Sequence, residues 1–185
     1  MPFGKSKKSA APLNEQGLYE YAVGALGRRM RTEAELRRLM TARVEPGERG
    51  EALVASVVAR LREYGCLDDA SYAETYARLR HENEKLGARR VRQDLARKGV
   101  GAELIEEAVG ARYEGTDEEA LVRAHLERKR LKKPENEKEA ARLMRRLVTA
   151  GFSVGTIYKV LRRWDVAEET LAALESVEEG GPGEE

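Results

Sequence analysis

Residues 87–100 read Gly-Ala-Arg-Arg-Val-Arg-Gln-Asp-Leu-Ala-Arg-Lys-Gly-Val, and this stretch decides the fold class. Ala88, Val91 and Leu95 recur at positions i, i+3 and i+7 of one helical face, while the arginines fall on the other faces. Gly99 can take the left-handed conformation that ends a helix, and the apolar residue after it can pack back onto the last turn. The stretch therefore predicts an amphipathic helix followed by a tight corner.

The same pattern, Leu followed by three residues, Gly and an apolar residue, occurs again at residues 61–66 and 147–152. We interpret the three glycines as equivalent corners between helices, because helical periodicity runs through the chain and strand patterns are hard to find. Two further predicted helices repeat the apolar stripe with outward arginines beside it. One stripe contains Leu36, Leu39 and Met40, and the other contains Ala140, Met144, Leu147 and Val148.

Three blocks of about fifty residues follow from this pattern, with helix starts near Glu15, Asp69 and Asp117. Each block has room for three short helices and is too small to be very stable alone, so stacked blocks would share their cores. The predicted fold is all-α, with three tandem three-helix repeats stacked into an elongated, curved array. The predicted organisation is a flexible basic arm at residues 1–14, three-helix repeats at 15–67, 68–115 and 116–165, and an acidic C-terminal tail at 166–185.

Several residues are predicted to cap helices. Thr32 with Glu35, and Thr116 with Glu119, match the capping box, in which a hydroxyl and a carboxylate both accept from free backbone N–H groups. Ser153 is predicted to cap the helix that follows it. These positions mark where the predicted helices begin.

The charge distribution is uneven along the chain. The net charge of the 185 residues is +1, but residues 166–185 contain seven acidic residues and no Lys or Arg. These seven negative charges leave residues 1–165 with a net charge of +8. A basic body favours an anionic partner or a filament that carries one, although a solvated surface of mixed charge would give a similar composition.

The sequence lacks the patterns expected of an enzyme, a metalloprotein or a membrane protein. It has no Gly-rich phosphate loop, and His81 and His125 are isolated, so both are predicted to lie at the surface or at helix ends. The single Cys66 is predicted to be a buried packing residue, and it suits a reducing cytoplasm. No apolar run approaches the ~18 residues that span a bilayer. We therefore expect no catalysis, no cofactor, no metal and a cytoplasmic location.

Two basic stretches leave alternatives open. Residues 128–133, Arg-Lys-Arg-Leu-Lys-Lys, could follow the phosphates of a nucleic acid or could form a solvated helix end, where cations complement the helix dipole. Residues 151–163 could form a helix-turn-helix that reads DNA. The recurrence of the same corner pattern elsewhere in the chain favours an architectural role for the second stretch.

Residues 67–78 read Leu-Asp-Asp-Ala-Ser-Tyr-Ala-Glu-Thr-Tyr-Ala-Arg, and together with the opening stretch they form one long motif. This motif closely resembles that of the RecX family of bacterial regulatory proteins. Supporting matches are Arg-Thr-Glu-Ala-Glu-Leu at 31–36 and Leu-Val-Thr-Ala-Gly-Phe-Ser at 147–153. The resemblance covers about residues 15–165.

The resemblance implies three tandem three-helix repeats and a regulatory function without catalysis. It implies that the protein binds the RecA filament on single-stranded DNA and inhibits its recombinase, ATPase and coprotease activities. An autonomous helical nucleic-acid-binding protein and a helical adapter for another protein are the alternatives. A monomer is expected, and direct contact with single-stranded DNA stays open. Gly24 and Gly27 depart from the family pattern, and we expect them to break the first helix.

The predicted partner-binding residues are the outward cations of the middle helix of each block, together with the lysine at the corner that ends the second of these helices. They are Arg37, Arg38, Arg89, Arg90, Arg97, Lys98, Arg142, Arg145 and Arg146. Their recurrence away from the apolar stripe motivates the prediction.

Overall fold

The computed structural model describes residues 11–164, and every element of regular structure in that range is an α-helix. The basic arm lies mostly outside the described residues, and the acidic tail lies wholly outside them. The helices are α1 (Glu15–Arg28), α2 (Glu33–Thr41), α3 (Glu48–Glu63), α4 (Asp69–Glu82), α5 (Ala88–Arg97), α6 (Ala102–Tyr113), α7 (Glu118–Arg128), α8 (Glu137–Thr149) and α9 (Val154–Arg163). The predictions of an all-α fold and of three tandem groups of three helices are confirmed.

Two of the predicted helix caps are confirmed. The Thr32 hydroxyl accepts from the backbone N–H of Glu35 at 3.1 Å, and the Ser153 hydroxyl accepts from that of Thr156 at 3.3 Å. The predicted cap at Thr116 is wrong. Asp117 caps α7 instead, because its carboxylate accepts from two backbone N–H groups of the first turn and carries a charge that favours the helix start.

The prediction that Gly24 and Gly27 break the first helix is also wrong. Helix α1 runs without interruption from Glu15 to Arg28. Its buried side chains, Leu18, Ala22 and Ala25, are spaced at helical intervals, and their packing outweighs the low helix propensity of the two glycines.

The described residues divide into two compact units, and the first comprises residues 11–72 with 98–101. Its core is formed by α1, α2 and α3, with Leu18, Leu36 and Leu61 fully buried. The buried Thr32 hydroxyl donates to the backbone carbonyl of Lys98 at 2.6 Å. This hydrogen bond ties the start of α2 to the corner that follows α5.

The second unit comprises residues 73–97 with 102–164. The largest of its side-chain clusters is formed by α7, α8 and α9, where Leu147, Phe152 and Leu161 are buried. The backbone N–H of Gly87 donates to the carbonyl of Ala150 at 2.9 Å. A Cβ at Gly87 would lie 2.2 Å from the carbonyl oxygen of Gly151, so the chain approaches itself too closely there for any other residue.

The three corner glycines of the sequence pattern are not equivalent, and that prediction is wrong. Gly99 and Gly151 follow the second helix of their groups, whereas Gly65 joins α3 to α4, as Gly115 joins α6 to α7. The pattern reports how a helix ends but not which helix it is, because the same left-handed glycine can close any of them. Cys66, predicted to be buried, is exposed at this junction.

Candidate partner-binding site

A groove of about 440 Å³ lies in the second unit, where the end of α7 faces α8. Helix α8 contributes three arginines and a threonine, and α7 with the residues after it contributes the rest. The lining residues are His125, Lys129, Leu131, Arg142, Arg145, Arg146 and Thr149. Three arginines and a lysine line this groove, and none of its lining residues carries a carboxylate.

The α8 arginines are directed away from the core by helical periodicity. Leu143, Met144 and Leu147 occupy the buried stripe of the helix, so the positions of Arg142, Arg145 and Arg146 fall outside it and are exposed. Within residues 11–164, none of the three arginines forms an ion pair or donates a side-chain hydrogen bond. Within that range, their charges have no internal counter-ion.

His125 lies beside these cations in the last turn of α7, so its predicted helix-end position is confirmed, but it is buried there and only 5% exposed. Its Nδ1 donates to the carbonyl of Lys85 at 3.1 Å, and its ring meets that of Phe152 edge to face at 5.4 Å. Burial lowers the pKa of His125; the hydrogen bond to the Lys85 carbonyl opposes this, and the positive charges of Lys129 and Arg146 add to the lowering. The imidazole therefore serves as a packing and hydrogen-bonding group.

The predicted cations of α5 have a different environment. Arg89 is exposed and forms no ion pair with any residue in the described range. Arg90 pairs with Asp94 at 3.1 Å and also donates to the carbonyl of Thr149 at 3.5 Å. Arg97 pairs with the same carboxylate. Two of the three predicted α5 arginines therefore share one internal counter-ion.

A second groove, of about 420 Å³, lies beside α5 in the same unit and contains both signs of charge. Glu84 and Asp94 line it together with Arg80 and Arg90, and both acids are ion-paired there. Arg146 lines this groove as well as the first one. The balanced charge of the second groove makes the first groove the stronger candidate for binding an anion.

Some of the predicted cations of the first unit form ion pairs, and another is exposed. Arg37 pairs with Glu33 at 2.7 Å, whereas Arg38 is exposed. Lys98 pairs with Glu35 at 2.9 Å and stacks on the ring of Tyr72 at 5.7 Å. Burial would lower the pKa of Lys98, but hydrogen bonds to Glu35 and Tyr72 outweigh it and raise this pKa. Lys98 therefore helps to hold the unit together.

Two groove residues were not among the predicted site residues. Lys129 belongs to the basic run at 128–133, which the sequence left open between phosphate contact and a solvated helix end. His125 was predicted to be an isolated histidine at the surface or at a helix end. The signal for Lys129 was present in that run. Nothing in the sequence indicated that the run would face α8, because that depends on how the chain turns after α7.

Within the part of the chain that the structure describes, no group of three or more His, Cys, Asp or Glu side chains is placed to hold a metal ion. None of the helices between residues 11 and 164 is long and apolar enough to span a membrane. What the groove offers is a set of cations placed to bind negatively charged groups. The fold and the site thus define a helical-repeat protein with a cationic groove.

Comparison with known proteins identifies the family. Residues 68–109 match the family model for RecX, second three-helix domain. The chain is 34% identical over 147 residues to the regulatory protein RecX of Mycolicibacterium vanbaalenii, covering 78% of this chain and 77% of that protein. It is 33% identical over 180 residues to the regulatory protein RecX of Thermobifida fusca, covering 93% of this chain and 92% of that protein. The chain belongs to the RecX family.

Solved structures agree with this at the level of the fold. The crystal structure of RecX from Lactobacillus salivarius superposes with a TM-score of 0.60 at 21% identity, covering 83% of this chain and 97% of that one. A crystal structure of regulatory protein RecX gives a TM-score of 0.61 at 23% identity, covering 80% of this chain and 73% of that one.

Proposed function

We propose that this protein is a regulator that binds the RecA filament on single-stranded DNA and inhibits its recombinase, ATPase and coprotease activities. Family membership carries the proposal, because relatives at 33–34% identity over more than three quarters of the chain are named regulatory protein RecX. The regulator acts by occupying a surface and not by catalysis. We further propose that the protein is monomeric and cytoplasmic. Its proposed roles are in recombination, DNA repair and the SOS response.

The surface that we assign to the partner is the set of predicted cations that have no counter-ion within residues 11–164. In the second unit these are Arg142, Arg145 and Arg146 of α8, together with Arg89 of α5, and all four are exposed. In the first unit Arg38 belongs to the same class. An exposed cation with no partner loses little internal stabilisation when it binds an external anion, whereas a paired one must first give up its carboxylate.

The remaining predicted cations have internal partners, and we assign them a positioning role. Arg37, Arg90, Arg97 and Lys98 each pair with a carboxylate of their own unit. Their hydrogen bonds fix the geometry of α2, α5 and the corner after α5. In the proposed function they support the binding surface and do not themselves dominate binding.

The test is a titration of the purified protein into an ATPase assay of RecA on single-stranded DNA, with a DNA-only binding control. We expect wild type to inhibit hydrolysis. The triple variant Arg142→Gln, Arg145→Gln, Arg146→Gln should need at least ~10-fold more protein for half-inhibition, because a handful of residues usually dominates an interface. A double charge reversal, Arg89→Glu with Arg90→Glu, should also weaken inhibition without unfolding the protein.

The matched control is Arg78→Gln, since Arg78 is an exposed arginine of the second unit that pairs with Glu82 at 3.5 Å. We expect this variant to inhibit like wild type. Wild-type protein that binds DNA but leaves RecA hydrolysis unchanged would contradict the proposed function and favour an autonomous nucleic-acid-binding protein. Full inhibition by the triple variant would contradict the assigned surface.

A further inference from the structure

The acidic tail at residues 166–185 is opposite in charge to the cationic groove of the second unit. The tail contains seven glutamates and no Lys or Arg. The groove is lined by four exposed cations, and its lining residues include no carboxylate; the cations are Lys129, Arg142, Arg145 and Arg146. Carboxylates and guanidinium groups form the strong class of charge-assisted hydrogen bonds. The two segments of the chain are therefore chemically complementary.

The tail is attached to the group of helices that carries the groove. The described part of the chain ends at Trp164, directly after α9. Trp164 packs against the buried cluster formed by α7, α8 and α9, and Leu131, which lines the groove, packs against the same cluster. The residues after Trp164 therefore start from the three-helix group whose first two helices form the groove.

The tail is long enough to reach the groove. Five of its glutamates lie in one stretch of sequence, at Glu168, Glu169, Glu175, Glu178 and Glu179. An extended chain gains about 3.4 Å per residue, so the segment from Trp164 to the last of these glutamates can span up to roughly 50 Å. Helix α8, with its 13 residues, is only about 20 Å long.

Covalent attachment favours the tail over a separate acidic molecule as the occupant of the groove. A short tether holds its two ends at an effective concentration on the order of millimolar. Even a weak interaction, with a Kd on the order of 1 mM, would then fill the groove in about half of the molecules. An untethered acidic peptide would need a similar concentration in solution to compete.

We propose that the acidic tail docks on the cationic groove between α7 and α8 and competes there with the external partner. The docking needs no RecA, but its regulatory consequence rests on the proposed function, which assigns the groove arginines to the partner. If the tail fills the groove in about four fifths of the molecules, the apparent affinity for the partner falls about five-fold. The tail thus regulates the binding surface from within the same chain.

A spin label on the tail of the full chain tests the docking directly. Ser176→Cys supplies the attachment point, in a Cys66→Ser background because Cys66 is exposed and would also be labelled. The label should broaden the backbone amide signals of α8 in a nuclear magnetic resonance spectrum. About 1 M salt should remove the broadening, because the Debye length falls there to about 3 Å.

The groove variant Arg142→Gln, Arg145→Gln, Arg146→Gln separates docking from mere proximity to α9. It leaves the tail and its attachment unchanged, so a label that is near α8 only because of the tether would broaden the same signals equally. We expect the broadening of the α8 signals to be largely lost in this variant. Equal broadening in the two proteins would overturn the proposal, as would the absence of broadening at α8 in the protein with the intact groove.

The regulatory consequence is tested by neutralising the tail. Glutamine replaces three of its glutamates in the variant Glu175→Gln, Glu178→Gln, Glu179→Gln. This variant should need several-fold less protein than wild type for half-inhibition of the RecA ATPase on single-stranded DNA, because more molecules have a free groove. In the background of the groove variant, the same three substitutions should have little effect.

The matched control raises the net charge by the same three units elsewhere in the second unit. Glu74, Glu107 and Glu114 are exposed and form no ion pair within residues 11–164, so the control is Glu74→Gln, Glu107→Gln, Glu114→Gln. It should inhibit RecA like wild type. An equal gain in the control and in the tail variant would show a general effect of net charge and would overturn competition by the tail.

The two experiments distinguish failure of this inference from failure of the proposed function. If the label broadens α8 in a groove-dependent way but wild type does not inhibit RecA, the tail docks as proposed and the proposed function fails. If wild type inhibits RecA but the label does not broaden α8, the proposed function stands and the docking is overturned.

Discussion

Helix α5 and helix α8 each place arginines opposite a buried leucine, but only α5 places a carboxylate among those arginines. Leu95 of α5 and Leu147 of α8 are both fully buried. On the polar side of α5, Asp94 accepts from Arg90 and Arg97. On α8, Arg142, Arg145 and Arg146 have no such partner within residues 11–164.

The difference follows from sequence spacing within one helical turn. Asp94 stands four residues after Arg90 and three before Arg97, which are the two separations at which helical side chains meet. Neither Arg145 nor Arg146 has an acidic residue at those separations. Glu139 is three residues before Arg142, but its carboxylate accepts from the backbone N–H of Glu135 at 3.0 Å. One acidic residue therefore distinguishes a helix with two ion-paired arginines from a helix whose arginines have no counter-ion within residues 11–164.

The largest effect on stability is expected from substitutions on the apolar faces, a feature that α5 and α8 have in common. Leu95→Ala and Leu147→Ala each remove a fully buried side chain and leave a cavity, which costs about 2–5 kcal/mol of unfolding free energy. Urea unfolding should show similar losses for the two variants. A near-wild-type midpoint for only one of them would show that the apolar sides of α5 and α8 are not comparable.

The sequence was sufficient to predict the apolar faces of α5 and α8, but it was insufficient to predict the surroundings of their polar faces. The apolar stripe and the helix starts near Glu15, Asp69 and Asp117 depend on local spacing, and the structure confirms them. The groove depends on the turn after α7, where Arg130 takes a left-handed conformation that no sequence pattern assigns to arginine. It also depends on the burial of His125, whose partner is a backbone carbonyl 40 residues away.

The glycine pattern shows the same limit. Leu, three residues and Gly correctly marked three helix ends, since that signal is contained in one turn of helix. It could not tell that Gly65 joins two groups of helices while Gly99 and Gly151 lie within them. Nor could it show that Gly87 meets Gly151, because that approach links residues 64 positions apart.

An intermediate effect is expected from removing the carboxylate that distinguishes α5. Asp94→Asn takes the counter-ion from Arg90 and Arg97 and weakens the 3.3 Å hydrogen bond from the Tyr76 hydroxyl. Unfolding free energy should fall by about 1 kcal/mol, since these pairs are partly exposed to solvent.

The same variant should change binding in the opposite direction. The two released arginines make α5 resemble α8, so the affinity for the RecA filament should rise, and several-fold less protein should be needed for half-inhibition of the RecA ATPase. Glu139→Gln is the matched control, because it removes an acid of α8 that serves the helix start and pairs with no arginine of the groove. An unchanged affinity in Asp94→Asn would show that the carboxylate does not decide which helix binds.

The smallest effect on stability is expected at His125, whose pKa depends in part on the positive charge of Arg146 in α8. Burial lowers its pKa below the ordinary 6.5, and Lys129 and Arg146 lower it further. Because the folded-state pKa is the lower one, the unfolded chain binds the proton more readily. Stability should therefore fall as the pH drops through about 6.5 towards the folded-state pKa and level off below it.

Nuclear magnetic resonance titration of the imidazole between pH 5 and 8 measures this pKa directly. Arg146→Gln removes one of the positive charges acting on His125, so the pKa of His125 should move upward, while burial keeps it below the ordinary value. Arg90→Gln is the comparison, because the charge of Arg90 is compensated by Asp94 and should leave that pKa unchanged. Equal shifts of the His125 pKa in the two variants would mean that the arginines of α5 and α8 exert the same electrostatic effect on the imidazole. The distinction between a basic helix with paired arginines and one with unpaired arginines would then not hold.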